Sequence, residues 1–266
     1  MDTIELLNGE LFRQDEILEL MTEDEFYYGY LGKAALSSSS IKLLLDSPKK
    51  YKYVTQYSKQ EETTALIAGA LFHQAILEPD KFEKNIYVDV QTKNNKAYKL
   101  AKEEHGKVFT IKEKREAERL ADAFLRNEPA LKMITDCEFE VPAIGYITAR
   151  SGNKYPFRAK ADVLDSYRIC DLKTTTNLNK ENAFKNSAYK YGYFSQAYIY
   201  CELFNKSYEE FFFVAVDKQT TDVGVIDLSE QGYNYGKEKV LDALEVYETF
   251  FVHGADLDNY CIRLTL

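Results

Sequence analysis

Two aspartates and a lysine near the middle of the chain have the types and spacing that divalent-metal phosphodiester chemistry uses. They lie in Arg158-Ala-Lys-Ala-Asp162 and, after a short gap, in Ile169-Cys-Asp171-Leu-Lys173-Thr-Thr-Thr176. Both stretches read as β-strands, and alternation along a strand sorts side chains by face. Phe157, Ala159, Ala161 and Val163 fall on an apolar face, with Arg158, Lys160 and Asp162 on the other. In the second strand Cys170 and Leu172 point one way, and Asp171 and Lys173 the other. The carboxylates offer hard oxygen ligands to Mg²⁺, and the lysine can orient or deprotonate an attacking water. Asp-x-Lys alone is more often a solvated strand edge. The second aspartate, on a neighbouring strand of matching polarity, favours the chemical reading.

The elements around this pair must bring further residues to it. Residues 63–77 read as an apolar helix ended by Glu78-Pro79, with Gly69 and His73 one above the other on one face. A glycine inside a helix costs about 1 kcal/mol relative to alanine, which suggests a close backbone approach or catalytic packing there. A lone histidine on such a helix is more often a satisfied core residue than a ligand. The sheet opens at Cys137-Glu138-Phe-Glu140-Val-Pro142, where Glu138 and Glu140 share a face. After the Asp-x-Lys strand, residues 182–204 read as a helix that Gly192 divides in two, with Gln196 and Tyr200 facing the same way. Residues 209–216 and 222–228 read as two more strands, and 230–251 as a last helix.

Upstream, residues 10–28 read as one acidic amphipathic helix with Leu11, Ile17, Leu18 and Leu20 inward. The serines at 37–40 offer an N-cap to a helix with Ile41, Leu44 and Leu45 inward, which Pro48 stops. Lys49-Lys50-Tyr51-Lys52-Tyr53 interleaves cations with rings that could stack on bases, although a chain with 21 tyrosines produces such clusters readily. Residues 94–104 and 112–125 read as charged helices.

Taken in order, these elements resemble the PD-(D/E)xK nuclease superfamily, with Asp162 as first acid and Asp171-Leu-Lys173 as the D-x-K element. Ala161 stands where the motif's name has proline. Gly69 with His73, Glu140, and Gln196 with Tyr200 extend the resemblance to the RecE-like exonucleases (exonuclease VIII type) of phages and prophages, over roughly residues 36–217. The resemblance implies an α/β (α+β) restriction-endonuclease-like fold, a central mixed sheet flanked by helices. Residues 1–135 would form a mainly helical part of a single domain, 136–228 the catalytic sheet and helix, and 229–266 a closing helix and tail. It implies a metal-dependent exonuclease that degrades linear double-stranded DNA from its ends to expose single strands for recombination. Mg²⁺ or Mn²⁺ would be held by Asp162, Asp171, the backbone carbonyl of Leu172 and His73. Glu140, or alternatively Glu138, would bind directly or through water. Lys173 would act on the water, while Gln196 and Tyr200 hold the scissile phosphate or Lys173. Cleavage from 5′ to 3′, a ring-shaped homo-oligomer and a single-strand annealing partner are further implications. Lys49, Lys50, Tyr51, Lys52, Arg158 and Lys160 are the candidate DNA contacts.

Composition sets bounds on this reading. The 266 residues suffice for a sizeable core, and 45% hydrophobic with 29% charged residues is ordinary for a soluble protein. No apolar run of about eighteen residues occurs, and the first residues lack a signal-peptide pattern, so a cytoplasmic protein without membrane contact is expected. The cysteines at 137, 170, 201 and 261 have no metal-site spacing. That argues against an iron–sulfur cluster, and so against the iron–sulfur members of the nearest alternative, the RecB-like helicase-associated or CRISPR-adaptation nucleases. The net charge of −9 is unusual for a DNA-binding protein, but residues 1–31 hold nine acids against Arg13 alone. Residues 32–60 then hold six lysines against Asp46, a local positive surface. No Walker-type phosphate loop is present. A catalytically inactive DNA-binding module is a further alternative, disfavoured by the complete acid–acid–lysine set.

Overall fold

A computed structural model describes residues 3–57, 63–180 and 182–263. Lys59, one of the basic residues counted above, and Met1 and Asp2 lie outside them. The chain opens with a hairpin, β1 (Thr3–Glu5) and β2 (Leu11–Arg13), followed by α1 (Gln14–Leu20), a π-helical turn at Glu25–Tyr30, and α2 (Leu31–Ala34). Helices α3 (Ser38–Asp46), α4 (Pro48–Tyr57), α5 (Thr64–Leu77) and α6 (Pro79–Lys84) come next. Then β3 (Tyr87–Val88) pairs in parallel with β4 (Phe109–Thr110) across α7 (Lys96–His105), ahead of α8 (Ile111–Arg126) and α9 (Glu128–Ile134).

The main sheet has five strands: β5 (Glu138–Thr148), β6 (Lys154–Leu164), β7 (Ile169–Thr175), β8 (Phe211–Asp217) and β9 (Val223–Asp227). The first three form an antiparallel meander, β7 and β8 are parallel, and β9 returns antiparallel. A parallel neighbour requires a crossover, supplied here by α10 (Ala183–Tyr191) and α11 (Tyr193–Phe204). Helix α12 (Glu230–Tyr247) closes the fold and runs on into a π-helical turn, Glu248–Val252. The expected mixed α/β sheet flanked by helices is the observed one.

Helices cover both faces of the sheet. On one, Phe157, Ala159, Ala161, Ile169, Phe211 and Phe213 pack with Ile41 and Leu44 of α3, Ile199 of α11, and Val240 and Leu244 of α12. On the other, Val163, Cys170, Leu172 and Val214 pack with Phe72 and Ile76 of α5 and Leu120 and Phe124 of α8. Val163 therefore does not share a core with Phe157, Ala159 and Ala161 as strict alternation expects. Strand β6 is hydrogen-bonded to β7 in register only at Val163 and Leu164. The two strands part at Asp162, and that opening receives the polar side chains.

Local signals place several boundaries as read from sequence. Ser37 caps α3 by accepting from the Ser40 N–H, Thr63 caps α5, and Gly192 at φ +76° separates α10 from α11. Other expectations are corrected. Residues 10–28 are not one helix. Gly9, at φ +82°, turns the chain so that Leu11–Arg13 pairs with Thr3–Glu5, leaving Leu11 exposed. Leu45 is exposed while Ile41 and Leu44 are buried. Pro48 starts α4 rather than merely stopping α3, because proline lacks only an N–H that the first turn does not use. At Gly69 an added Cβ would meet nothing within 4 Å among the described residues, so no close backbone approach explains that glycine.

Candidate active site

The opening between β6 and β7 brings Asp162 beside the peptide of Leu172. The Leu172 N–H donates to Asp162 Oδ2 at 2.7 Å, and the carboxylate is buried. Helix α5 runs over the same spot. His73 Nε2 lies 2.7 Å from the Leu172 carbonyl oxygen, and His73 Nδ1 lies 3.5 Å from Asp162 Oδ2. Two of the expected ligands thus hold each other, His73 through one nitrogen and Leu172 through its carbonyl.

Glu140 faces Asp162 across the β5–β6 pair, between the registered pairs Phe139–Val163 and Val141–Ala161. It has φ +53°, a left-handed conformation that costs a non-glycine residue about 1–3 kcal/mol and recurs at functional sites. Ligand atoms of His73, Glu140 and Asp162 lie within 4.8 Å of one another. Glu138 is exposed at the strand's start opposite Leu164. Of the two glutamates, Glu140 is the one placed beside His73 and Asp162.

Electrostatics suit a cation at this cluster. Burial, then the nearby carboxylates of Asp162 and Glu78, push the Glu140 carboxyl up to about 7. For His73, burial acts against the charged ring, but Asp162 raises it to about 9. Burial likewise opposes the Asp162 charge, yet His73 and Lys173 hold its carboxyl below the usual range. Crowded carboxylates with one imidazole are a hard, oxygen-rich donor set, the kind that divalent cations of the Mg²⁺ and Mn²⁺ class take.

Asp171 lies beside this cluster and has other partners. It is 1% exposed, accepts a hydrogen bond from Gln196 Nε2 on Oδ1 at 2.6 Å, and is ion-paired with Lys173 through Oδ2. Burial raises the Asp171 carboxyl above its ordinary range despite that cation. Burial also opposes the Lys173 charge, but Asp171 and Asp162 more than offset it, so the amine holds its proton more tightly than usual. The Lys173 ammonium lies 5.0 Å from the Tyr193 ring centroid. Tyr200 is buried and donates to the Lys160 backbone carbonyl at 2.9 Å. Gln196 therefore orients Asp171, and Tyr200 ties α11 to β6. Neither is hydrogen-bonded to Lys173, the second of the two partners expected for them besides the scissile phosphate.

The candidate DNA contacts fare differently. Arg158 and Lys160 are buried, with Arg158 over the Tyr27 ring at 4.3 Å and bonded to the Leu31 carbonyl, and Lys160 at 4.7 Å from the same ring. Lys160 also lies 3.7 Å from Asp24. The N-terminal segment covers this face of β6, so these two cations are not displayed on an open surface. Tyr51 is buried against Tyr247 and Phe251 and cannot stack on a base. Lys49 donates to the Asp258 carbonyl and Lys50 pairs with Asp46, while Lys52 is exposed.

Sequence reasoning missed Tyr193, Tyr27 and Glu78. Tyr193 sits three residues before Gln196, a spacing that places both on one side of α11. Tyr27 and Glu78 reach the site only through tertiary packing, and no local pattern marks them.

Residues 37–257 match the family described as PDDEXK-like domain of unknown function (DUF3799). No curated protein matches significantly. The crystal structure of a proposed exonuclease from Eubacterium rectale superposes with a TM-score of 0.66 at 17% identity, covering 92% of this chain and 95% of that one. The solved structure of SSO0001 matches at 15% identity over 79% of this chain and 86% of that one, with a TM-score of 0.31. Among the described residues no helix is long and apolar enough to cross a membrane. With the family match spanning most of its length, the chain belongs to the PDDEXK-like DUF3799 family and has the PD-(D/E)xK nuclease fold.

Proposed function

We propose that this protein is a metal-dependent exodeoxyribonuclease of RecE-like type that degrades linear double-stranded DNA from its ends. The observation that carries the reading is the convergence of His73, Glu140 and Asp162 within 4.8 Å, beside the Asp171–Lys173 pair. Asp162, Glu140 and His73, with the Leu172 carbonyl and Asp171 adjoining, would hold Mg²⁺ or Mn²⁺. Bound there, such an ion supplies Lewis-acid polarisation of the phosphate and a lowered pKa for the attacking water.

The chain's own groups have separable tasks. The Leu172 N–H and His73 fix the Asp162 carboxylate. Gln196 fixes Asp171, which in turn positions the Lys173 ammonium. Because that amine is held protonated in this state, its part is to orient the water and oppose the charge gathering on the phosphate, rather than to take a proton first. The remaining features of the reading rest on the RecE-like resemblance: cleavage from 5′ to 3′, a ring-shaped homo-oligomer, a single-strand annealing partner, and one catalytic domain along the chain. Asp171→Asn and Lys173→Ala should each reduce degradation of linear DNA by about a hundredfold or more. Unchanged degradation by either purified variant would refute the assignment.

A further inference from the structure

A line of rings and cations leads outward from the site at the α10–α11 junction. From the Lys173 ammonium the first ring is Tyr193, at 5.0 Å, which packs inward on Phe213 and Phe184 at 5.7 and 5.9 Å; its exposed neighbour is Tyr191, 5.9 Å away between centroids with planes 31° apart. Tyr191 is 48% exposed, and the ammoniums of Lys42 and Lys190 each lie 5.3 Å from its ring centroid. Lys42 comes from α3 and Lys190 from the last turn of α10, so two separate elements supply the cations. Both are exposed, and neither pairs with a carboxylate among the described residues.

We propose that Tyr193 and Tyr191, flanked by Lys42 and Lys190, form a track for single-stranded DNA continuous with the catalytic centre. The inference rests on the nuclease reading and names the form of substrate that reaches the site. A duplex end hides its base faces in the stack, whereas an unpaired strand offers them to aromatic side chains in any sequence. An exposed cation over a ring is weakly held. The two lysines can swing from Tyr191 onto phosphates and leave the ring free for a base. Gly192, in the left-handed conformation between the tyrosines, turns the chain so that the rings lie in sequence toward Lys173.

The test is fluorescence anisotropy in EDTA, so that nothing is cleaved, using a labelled oligothymidylate and a labelled blunt hairpin duplex. Tyr191→Ala should weaken oligothymidylate binding by about tenfold or more, with Tyr191→Phe close to wild type and hairpin binding unchanged. The double variant Lys42→Gln/Lys190→Gln should lower the slope of log affinity against log salt by about 1.4 for the oligothymidylate. Wild-type affinity in Tyr191→Ala, equal losses for hairpin and single strand, or an unchanged salt slope would overturn the track. Digestion of linear duplex by the wild-type protein with Mg²⁺ is read alongside. Digestion with unaffected binding variants removes the track and leaves the nuclease. Weakened binding in Tyr191→Ala without any wild-type digestion removes the nuclease and leaves a single-strand binding surface.

Discussion

Glu140 concentrates the conflict between stability and chemistry at a single position. Its backbone is left-handed, its carboxyl is half-buried beside Asp162 and Glu78, and its proton affinity is raised to about 7. Asparagine tolerates the left-handed region and carries no charge. Glu140→Asn should therefore stabilise the metal-free protein by about 1 kcal/mol in denaturant unfolding, while abolishing DNA degradation. A destabilised variant would show that Glu140 serves packing rather than cation binding. That Asp162, Asp171 and Lys173 would lie close together was legible from strand alternation, and Gln196 from its helical spacing to Tyr200. Burial of Arg158 and Lys160 was not. Alternation tells which residues share a face, but not that Tyr27, more than a hundred positions away, covers it.

Elements hold the site through a few close contacts. Helix α12 showed only core spacing in sequence, yet Gly232 and Gly236 let it lie directly on α11. A Cβ on Gly236 would fall 2.1 Å from the Phe194 carbonyl oxygen, which is backbone and cannot give way. Gly236→Ala should cost about 3 kcal/mol and, by shifting the helix that carries Gln196, lower activity as well. Thermal unfolding and DNA digestion would check both effects; a neutral substitution would contradict this packing. The same helix end brings the buried Glu248 to Ser151, Asn153 and Tyr155, which donate to its Oε1 at 2.5, 2.9 and 2.8 Å. Burial opposes its charge, but these donors hold the carboxyl below its usual range. A depressed carboxylate stabilises the fold above the ordinary glutamate pKa and loses that contribution as pH falls from there through its own lowered value. Glu248→Gln should cost about 1 kcal/mol at neutral pH, with the gap to wild type closing below about pH 4. A gap constant with pH would contradict the charge-assisted arrangement. At this scale the sheet strands, the α3 cap and the Gly192 break were readable from local signals. The N-terminal hairpin was not, since Leu11, Ile17 and Leu18 fit a helical period while β1–β2 pairing decides the outcome.

Across the whole molecule, charge is distributed rather than uniformly acidic. Net charge is −9, and the acid-rich N-terminal segment is partly folded onto basic side chains: Asp24 meets both Lys81 and Lys160. The family match begins at residue 37, so this covering segment precedes the shared nuclease core. The order of elements in the core was legible because each strand and helix carries its own period. The N-terminal cover was not, because it is defined by what it packs against. The central claim is best tested by incubating the purified wild-type protein with linear and closed-circular duplex DNA, in Mg²⁺ or in EDTA. The account predicts loss of the linear DNA alone, only with metal, and none with Asp162→Asn. Degradation persisting in EDTA, or no cleavage with either Mg²⁺ or Mn²⁺, would contradict it, and nicking of the circle would replace the exonuclease with an endonuclease on the same fold.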